Sequence, residues 1–354
     1  MKIKFLPVLL VLGAFLASCS SEEIIKEPAP DGAYADGFFV LNEGNFLSGN
    51  ASVSFIENSG EVSHSIFKNA NSGADLGDTA TDLQFYEDYA FIVVNVSNKI
   101  EVVDRYTFES VATIDNGLAN PRKISFSNGT AYVTNWGDAS DPGDDFITVF
   151  DAETFQQSQI VPVAEGPENM LVENSRLFIV HLGGWGFNNI ITVINTATNE
   201  LEKTIEVGDL PNSMVVENGF LWVVSSGLPF YAEGGETNGK ISKINLTSLE
   251  VATEFEVQGH PSYLVNGGGI LYYTVDNSVF SFSPAGESLS ETPFLELEEV
   301  SVLYGFSVKD NLIYATSANA DFTGDGKLLI YNSLKNFELQ TFTTGINPNG
   351  IFFQ

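Results

Sequence analysis

Cysteine is nearly absent from this chain of 354 residues; Cys19 stands alone, so no intramolecular disulfide can form. Histidine is almost as scarce, and His64, His181 and His260 lie far apart without the clustered His and carboxylate spacing of a metal hydrolase. No G-x-S-x-G nucleophile motif is present, and no cysteine is placed to act as a nucleophile. Basic residues are few: 15 Lys and Arg face 46 Asp and Glu, for a net charge of −31. A surface of that sign repels phosphates, which makes nucleic acid a poor partner. Three-turn amphipathic helical patterns are missing after residue 24, whereas Tyr, Phe, Val and Ile are plentiful in short runs, and the reading is a single all-β domain.

The one long apolar run is at the start. Lys2 and Lys4 precede Phe5–Leu16, followed by Ala17, Ser18 and Cys19. A basic start, an apolar stretch too short for a membrane stop and small residues before a cleavage point read as an export signal over residues 1–18. The context of Cys19 resembles a bacterial lipoprotein signal, which implies that Cys19 is the lipid anchor and that residues 19–36 are a lipidated tether. Ser20, Ser21, Glu22 and Glu23 resemble the signal that sends lipoproteins of Bacteroides-like bacteria to the outer face of the outer membrane; they also suit a plain solvated charge run. The expectation is a cell-surface lipoprotein whose only membrane contact is the lipid anchor.

From residue 37 to the end the chain repeats itself imperfectly about every 40–50 residues. PRKISFSNGTAYVTNWG from Pro121, PENMLVENSRLFIVHLGG from Pro167 and PNSMVVENGFLWVVSSG from Pro211 share one pattern: a proline-led strand, a tight Asn/Gly turn and an apolar strand. Weaker copies begin at Ala80, at Pro261 and near Leu303, and a seventh unit over Phe38–Phe67 lacks its first strand. The tail Pro348–Gln354 has the missing pattern. These units predict a seven-bladed β-propeller of four-stranded blades over residues 37–354, closed by the C-terminal strand joining the N-terminal blade.

Antiparallel order within a blade puts the loops between the second and third strands (B–C loops) on one face, with the blade-to-blade links. Those loops are the long ones: Glu43–Ala51, Asn135–Phe146, Leu182–Asn189, Ser225–Lys240 and Ser317–Lys327. They carry Phe46, Trp136, Trp185, Phe187, Phe230, Tyr231 and Phe322 among Gly, Asn, Ser and Asp. Aromatics in polar loops either tuck onto neighbouring loops or face a partner, and this set is the candidate contact surface for a small-molecule ligand. Trp222, Phe178 and Tyr132 alternate along strands and read as core. A second ring follows each opening proline: Arg122, Glu168, Asn169, Asn212, Ser213, Ser262, Tyr263 and Asn349 rim a central channel, either to orient a ligand or to bond the blade links. Asn135 and Asp321 complete the candidate set.

Calcium is the one metal with candidate ligands. Asp138, Asp141, Asp144 and Asp145 crowd one loop, and Asp321 and Asp325 another, although neither has EF-hand spacing. Solvated acidic loops are the alternative. No other cofactor is expected. Only Glu168 and Asp82 place carboxylates near the channel, too few for a metal-dependent lactonase-like enzyme, so the expectation is a binding protein and not an enzyme.

Tyr132-Val133-Thr134-Asn135 is the tetrapeptide that names the YVTN-type repeat, and the chain from 38 to 354 resembles YVTN/YncE-like propellers. Leu41–Asn45, Asn50–Ser52, Leu76–Ala80 and the Asp321–Phe322 loop, together with the lipoprotein signal, resemble surface lipoproteins that accompany TonB-dependent transporters, the BtuG-type cobalamin-binding propellers among them. The resemblance implies capture of a corrinoid and its transfer to an outer-membrane transporter. A siderophore, a glycan, or a scaffold role capping the transporter would use much the same surface.

Overall fold

Each second strand of the repeat is apolar at nearly every position, as in YAFIVV, RLFIVH and FLWVVS, and a strand of that kind must be covered on both faces. The computed structural model, which describes residues 32–138, 140–334 and 337–354, satisfies this with a ring of seven four-stranded antiparallel sheets. The expected signal peptide and Cys19 lie outside the described residues, as does the tether before residue 32. Blade 1 runs from Ala80 to Ile114, blade 2 from Pro121 to Pro162 and blade 3 from Pro167 to Glu206. Blade 4 runs from Pro211 to Val257, blade 5 from Pro261 to Glu296 and blade 6 from Val302 to Ile346. The seventh, the closure blade, takes its innermost strand from Pro348–Phe353 and its others from Gly37–Asn42, Ser52–Glu57 and Val62–Ser63.

The core is not one mass but seven, one between each pair of neighbours. Period-2 alternation divides every strand between two of them. Leu177 and Ile179 pack toward blade 2, while Phe178 and Val180 pack toward blade 4. Tyr132, Phe178 and Trp222 are buried in these seams, as their strand positions imply.

Turn chemistry repeats with the blades. The first two strands are joined by two-residue turns with positive φ at both positions: Asn128 (47°) with Gly129 (80°), Asn174 (51°) with Ser175 (59°) and Asn218 (54°) with Gly219 (78°). That geometry matches the twist of a hairpin and favours Asn and Gly. The third and fourth strands are joined by turns in which an Asp or Asn carboxyl or amide oxygen accepts backbone N–H groups, as Asp104 Oδ1 does from Tyr106 (2.9 Å) and Thr107 (2.8 Å). Two glycines are dictated by the prolines that open the following strands. A Cβ on Gly239 would lie 2.2 Å from Pro261 Cδ, and one on Gly326 would lie 2.4 Å from Pro348 Cδ.

The outermost strands are where the repeat gives way. In the closure blade an outer strand continuing to Phe67 was expected; only Val62–Ser63 pair, and Ile66–Ala70 forms a short helix. Ile66 and Phe67 turn inward from it to fill the seam with blade 1. Blade 5 is reduced in the same way, to Leu295–Glu296.

Closure rests on the tail. Pro348–Phe353 pairs with Gly37–Asn42, and Ile351 packs in the seam with blade 6. Removing Pro348–Gln354 strips the inner strand from one blade and uncovers two seams. The truncated protein is expected to melt at least about 10 °C lower, or without a cooperative transition, by scanning calorimetry. Melting like the intact chain would refute closure by the tail.

Candidate functional site

Every innermost strand slips register immediately after its opening residues, by a bulge between Pro121 and Ile124, Pro167 and Met170, Pro211 and Ser213, and at the matching place in the other four blades. A bulge re-aims side chains. Here it turns the residues after the opening position into the central channel, whose mouth is a cavity of about 320 Å³. Arg122, Glu168, Asn169, Asn212, Tyr263 and Asn349 line it as their sequence position implies.

One ion pair and one hydroxyl–carboxyl hydrogen bond join blades at that mouth. Arg122 donates from Nε to Glu168 Oε2 at 2.9 Å and from Nη2 to Oε1 at 3.2 Å, a bidentate bridge from blade 2 to blade 3. Tyr304 donates its hydroxyl to Glu43 Oε2 at 2.8 Å, joining blade 6 to the closure blade. Burial raises the Glu43 carboxyl above its ordinary value, partly offset by the Tyr304 hydrogen bond and by Arg122 and Lys123. Tyr263 is pushed up to about 12, mainly by burial. Glu43 and Tyr304 were not among the sequence candidates. Glu43 directly follows a second strand, the place that Trp136 and Leu182 hold in their blades, and Tyr304 escaped notice because blade 6 opens on Val302 and not on proline.

The polar rim is engaged in joining blades. Thr81 donates to Arg122 O at 2.8 Å, Asn212 to Pro261 O at 3.0 Å and Asn349 to Ala80 O at 2.8 Å, while Asn169 bonds Asn212 O. Leu264 N–H donates to Ser213 Oγ at 2.8 Å. Asp82, buried and raised by desolvation, accepts Ile124 N–H at 3.0 Å. Of the two roles open to the rim residues, Asn169, Asn212, Ser213 and Asn349 are seen bonding the neighbouring blade. Asn135, expected at the ligand face, is fully buried and holds Val133 O and Thr148 Oγ1, both at 3.0 Å.

Trp136 also departs from expectation. Its ring lies under the Arg122 guanidinium at 4.2 Å, and its Nε1 donates to Pro167 O at 2.9 Å. It anchors the channel arginine by a cation–π contact and is not an open platform. The other loop aromatics stand in solvent. Trp185 is 81% exposed, Phe230 79%, Tyr231 71% and Phe46 72%. They fall in two groups. Phe187 from blade 3 meets Tyr231 from blade 4 at 6.2 Å, with Phe230 at 5.3 Å from Tyr231. On the other side Phe322 of blade 6 leans on Tyr304 at 6.0 Å, and its carbonyl accepts from Asn45 Nδ2, next to the exposed Phe46 of the closure blade. Three steps round a ring of seven separate the groups, so they flank the mouth from opposite sides.

The acidic loops hold themselves together. Asp138 accepts Ser140 Oγ–H at 2.7 Å, Asp144 accepts Asp138 N–H at 2.9 Å, and Asp141 accepts Gly143 N–H at 3.0 Å. Asp145 is buried against Gly166 N–H at 2.8 Å and pushed up to about 6, first by desolvation and then by Asp144 and Glu165. Asp321 caps Thr323 N–H at 2.9 Å, and Asp325 lines a separate cleft beside the closure blade. Among the described residues no group of three or more His, Cys, Asp or Glu is arranged to hold a metal ion.

Of the histidines, His181 is buried and pushed down to about 4 by desolvation. His260 has two acceptors: Ser226 O at 2.9 Å from Nδ1 and Glu236 Oε1 at 2.9 Å from Nε2. Both nitrogens must then donate, and the pair with Glu236 raises the imidazole pKa. Glu236 belongs to the loop that carries Phe230 and Tyr231. Because the folded pKa is raised, this clasp is complete below the ordinary histidine value of about 6.5 and is lost as pH rises through the folded value. Amide hydrogen exchange over residues 227–238, corrected for intrinsic rate, should therefore be slower at acid than at alkaline pH, and Glu236→Gln should remove the difference. Equal pH dependence in both proteins would show that the clasp does not order the loop.

No curated protein sequence matches the chain. Solved structures match the ring at low identity. A quinonprotein alcohol dehydrogenase-like protein from Bacteroides thetaiotaomicron is 15% identical with a TM-score of 0.66, covering 90% of this chain and 78% of that one. BamB from Moraxella catarrhalis is 14% identical with a TM-score of 0.53, covering 90% and 91%. Dihydro-heme d1 dehydrogenase NirN is 13% identical with a TM-score of 0.57, covering 92% and 77%. These likenesses establish the propeller fold, which named enzymes share and which does not decide catalysis. The profile described as "Domain of unknown function (DUF5074)" matches residues 36–290, most of the ring, and the chain belongs to that family.

Proposed function

We propose that this propeller is a binding protein that captures a broad, partly apolar nutrient across its B–C face, a corrinoid first among the candidates. The observation that carries the reading is the set of exposed aromatics on the B–C loops, with Phe187, Phe230 and Tyr231 in contact on blades 3 and 4, Trp185 exposed in the same blade 3 loop, and Phe46 and Phe322 on the closure blade and blade 6. Apolar surface of that extent on loops held by a rigid ring is costly to leave in water and is characteristic of a recognition face. A corrinoid has wide apolar faces and a rim of amides; aromatic loops around a polar mouth suit that shape. What favours binding over catalysis is the state of the channel carboxylates: Glu168 is paired with Arg122, Glu43 with Tyr304, and Asp82 with backbone N–H groups.

The proposal extends to location. Cys19 is lipidated, Ser20–Glu23 direct the protein to the cell surface, and the bound nutrient passes to a TonB-dependent transporter in the same membrane. Cys19→Ala should release the domain from membranes. Neutral replacements of Ser20–Glu23 should leave it membrane-bound but shielded from external protease; equal shaving of intact cells in both cases would refute surface export.

Titration calorimetry with cyanocobalamin tests the ligand. Trp185→Ala combined with Tyr231→Ala should weaken binding by roughly tenfold or more, since buried aromatic anchors each carry about 2 kcal/mol. The melting temperature should hardly change, because both side chains are free of the seams. Trp136→Ala is expected to act differently, loosening Arg122 and lowering stability. Absence of heat at tens of micromolar protein would discard the corrinoid.

A further inference from the structure

Blade 5 departs from its neighbours in a way the B–C face does not use. Its third strand, Ser278–Phe282, is followed by residues 283–294 before a two-residue outer strand, Leu295–Glu296. In blades 3 and 4 the same connection is a four-residue turn. The shortened strand leaves the flank between blades 4 and 5 without its usual outer wall, and the inserted loop arches over the gap. Beneath it is a cavity of about 750 Å³ on the side of the ring.

The floor of this cavity is aromatic. Tyr273 and Phe280 of blade 5 stack at 5.3 Å and 14°, and Phe255 of blade 4, itself stacked on Trp222 at 6.3 Å and 16°, forms the wall. Leu289 closes it from the loop. The rim is anionic: Glu287 and Glu291 stand exposed on the loop, and Glu254 and Glu256 flank Phe255 on the outermost strand of blade 4. Lys240 pairs with Glu254 at 3.2 Å, and Lys243, over the Trp222 ring at 4.8 Å, donates to Pro284 O at the start of the loop; among the described residues no Lys, Arg or His lines the cavity itself. Aromatic faces carry negative electrostatic potential, so floor and rim act in the same sense. A neutral apolar guest would gain nothing from the carboxylates, and an anion would be repelled by floor and rim together.

We propose that this interblade cavity is a binding site for a small organic cation, an ammonium group carried on an aryl or alkyl body. The body lies against Phe255 and Phe280, and the ammonium group sits toward Glu287 and Glu291. The volume is within the range of small-molecule pockets, roughly 300–1,000 Å³, and the loop residues Glu287–Glu291 line one side of it. The site shares no residue with the B–C face, so its fate is independent of the corrinoid reading.

Benzyltrimethylammonium is the probe, with benzyl alcohol and benzoate as neutral and anionic counterparts, followed by calorimetry and ligand-observed NMR on the folded domain. The cation should bind with one-to-one stoichiometry, and the counterparts at least about tenfold more weakly. Glu287→Gln with Glu291→Gln lies on an exposed loop and should weaken the cation about tenfold while leaving the melting temperature unchanged. Leu289→Ala should weaken it by a smaller factor through lost apolar contact. A control pair distant from the cavity, Glu200→Gln with Glu202→Gln, should have no effect. The proposal is overturned if the control pair weakens binding as much as the loop pair, if benzoate or benzyl alcohol binds as well as the cation, or if oligolysine binds and the small cation does not.

Discussion

A ring of blades has no free end, and everything else in this protein depends on that closure. Each blade is coated on both flanks by its neighbours, so the first and last blades could not be stable with one flank in water. Antiparallel pairing of Pro348–Phe353 with Gly37–Asn42 removes the problem by making them the same blade. Polar contacts lock the junction where it meets the channel: Asn347 donates to Gly44 O at 2.9 Å, and Gly345 N–H to Asn42 Oδ1 at 3.0 Å. Solenoid repeats end in polar caps; a propeller ends in itself.

The channel mouth follows from the same constraint. Seven inner strands converge there, and their bulges leave backbone groups that the next blade must satisfy. Thr81, Asn212 and Asn349 do so, and the Arg122–Glu168 and Tyr304–Glu43 pairs span two more junctions. The mouth is thus a rim laced by side chains that bond from one blade to the next. At the loop tips Trp185, Phe230 and Tyr231 stand mostly in solvent, with Tyr231 set between Phe230 and Phe187.

Toward the circumference the constraint relaxes. The second and third strands of each blade form the seams, whereas the outermost strand covers only an edge, and it is there that the chain varies. Two blades keep just two residues of that strand and use the released chain for other purposes: a helix that plugs a seam with Ile66 and Phe67, and a loop that roofs an aromatic cavity beside Tyr273 and Phe280.

Fold and blade count were legible in the residues because both arise from local, repeated chemistry: a proline opening the inner strand, Asn and Gly where φ is positive, and doubly buried strands such as FLWVVS. The split blade was legible because one unit lacked a strand and the tail had its pattern. Which long loops form the elaborated face also followed from strand order alone. The environment of individual side chains did not. Trp136 and Trp185 occupy comparable loops of adjacent blades, yet one is held under Arg122 and the other is open to solvent. Asn135 in the Tyr-Val-Thr-Asn tetrapeptide proved to be a buried backbone partner, and Glu43 and Tyr304 met only because the ring brings residues 261 positions apart into hydrogen-bond contact. Strand pattern depends on the alternation of near neighbours along the chain. Whether a polar or aromatic side chain is free or engaged depends on what the neighbouring blade presents to it, and that is decided only when the ring closes.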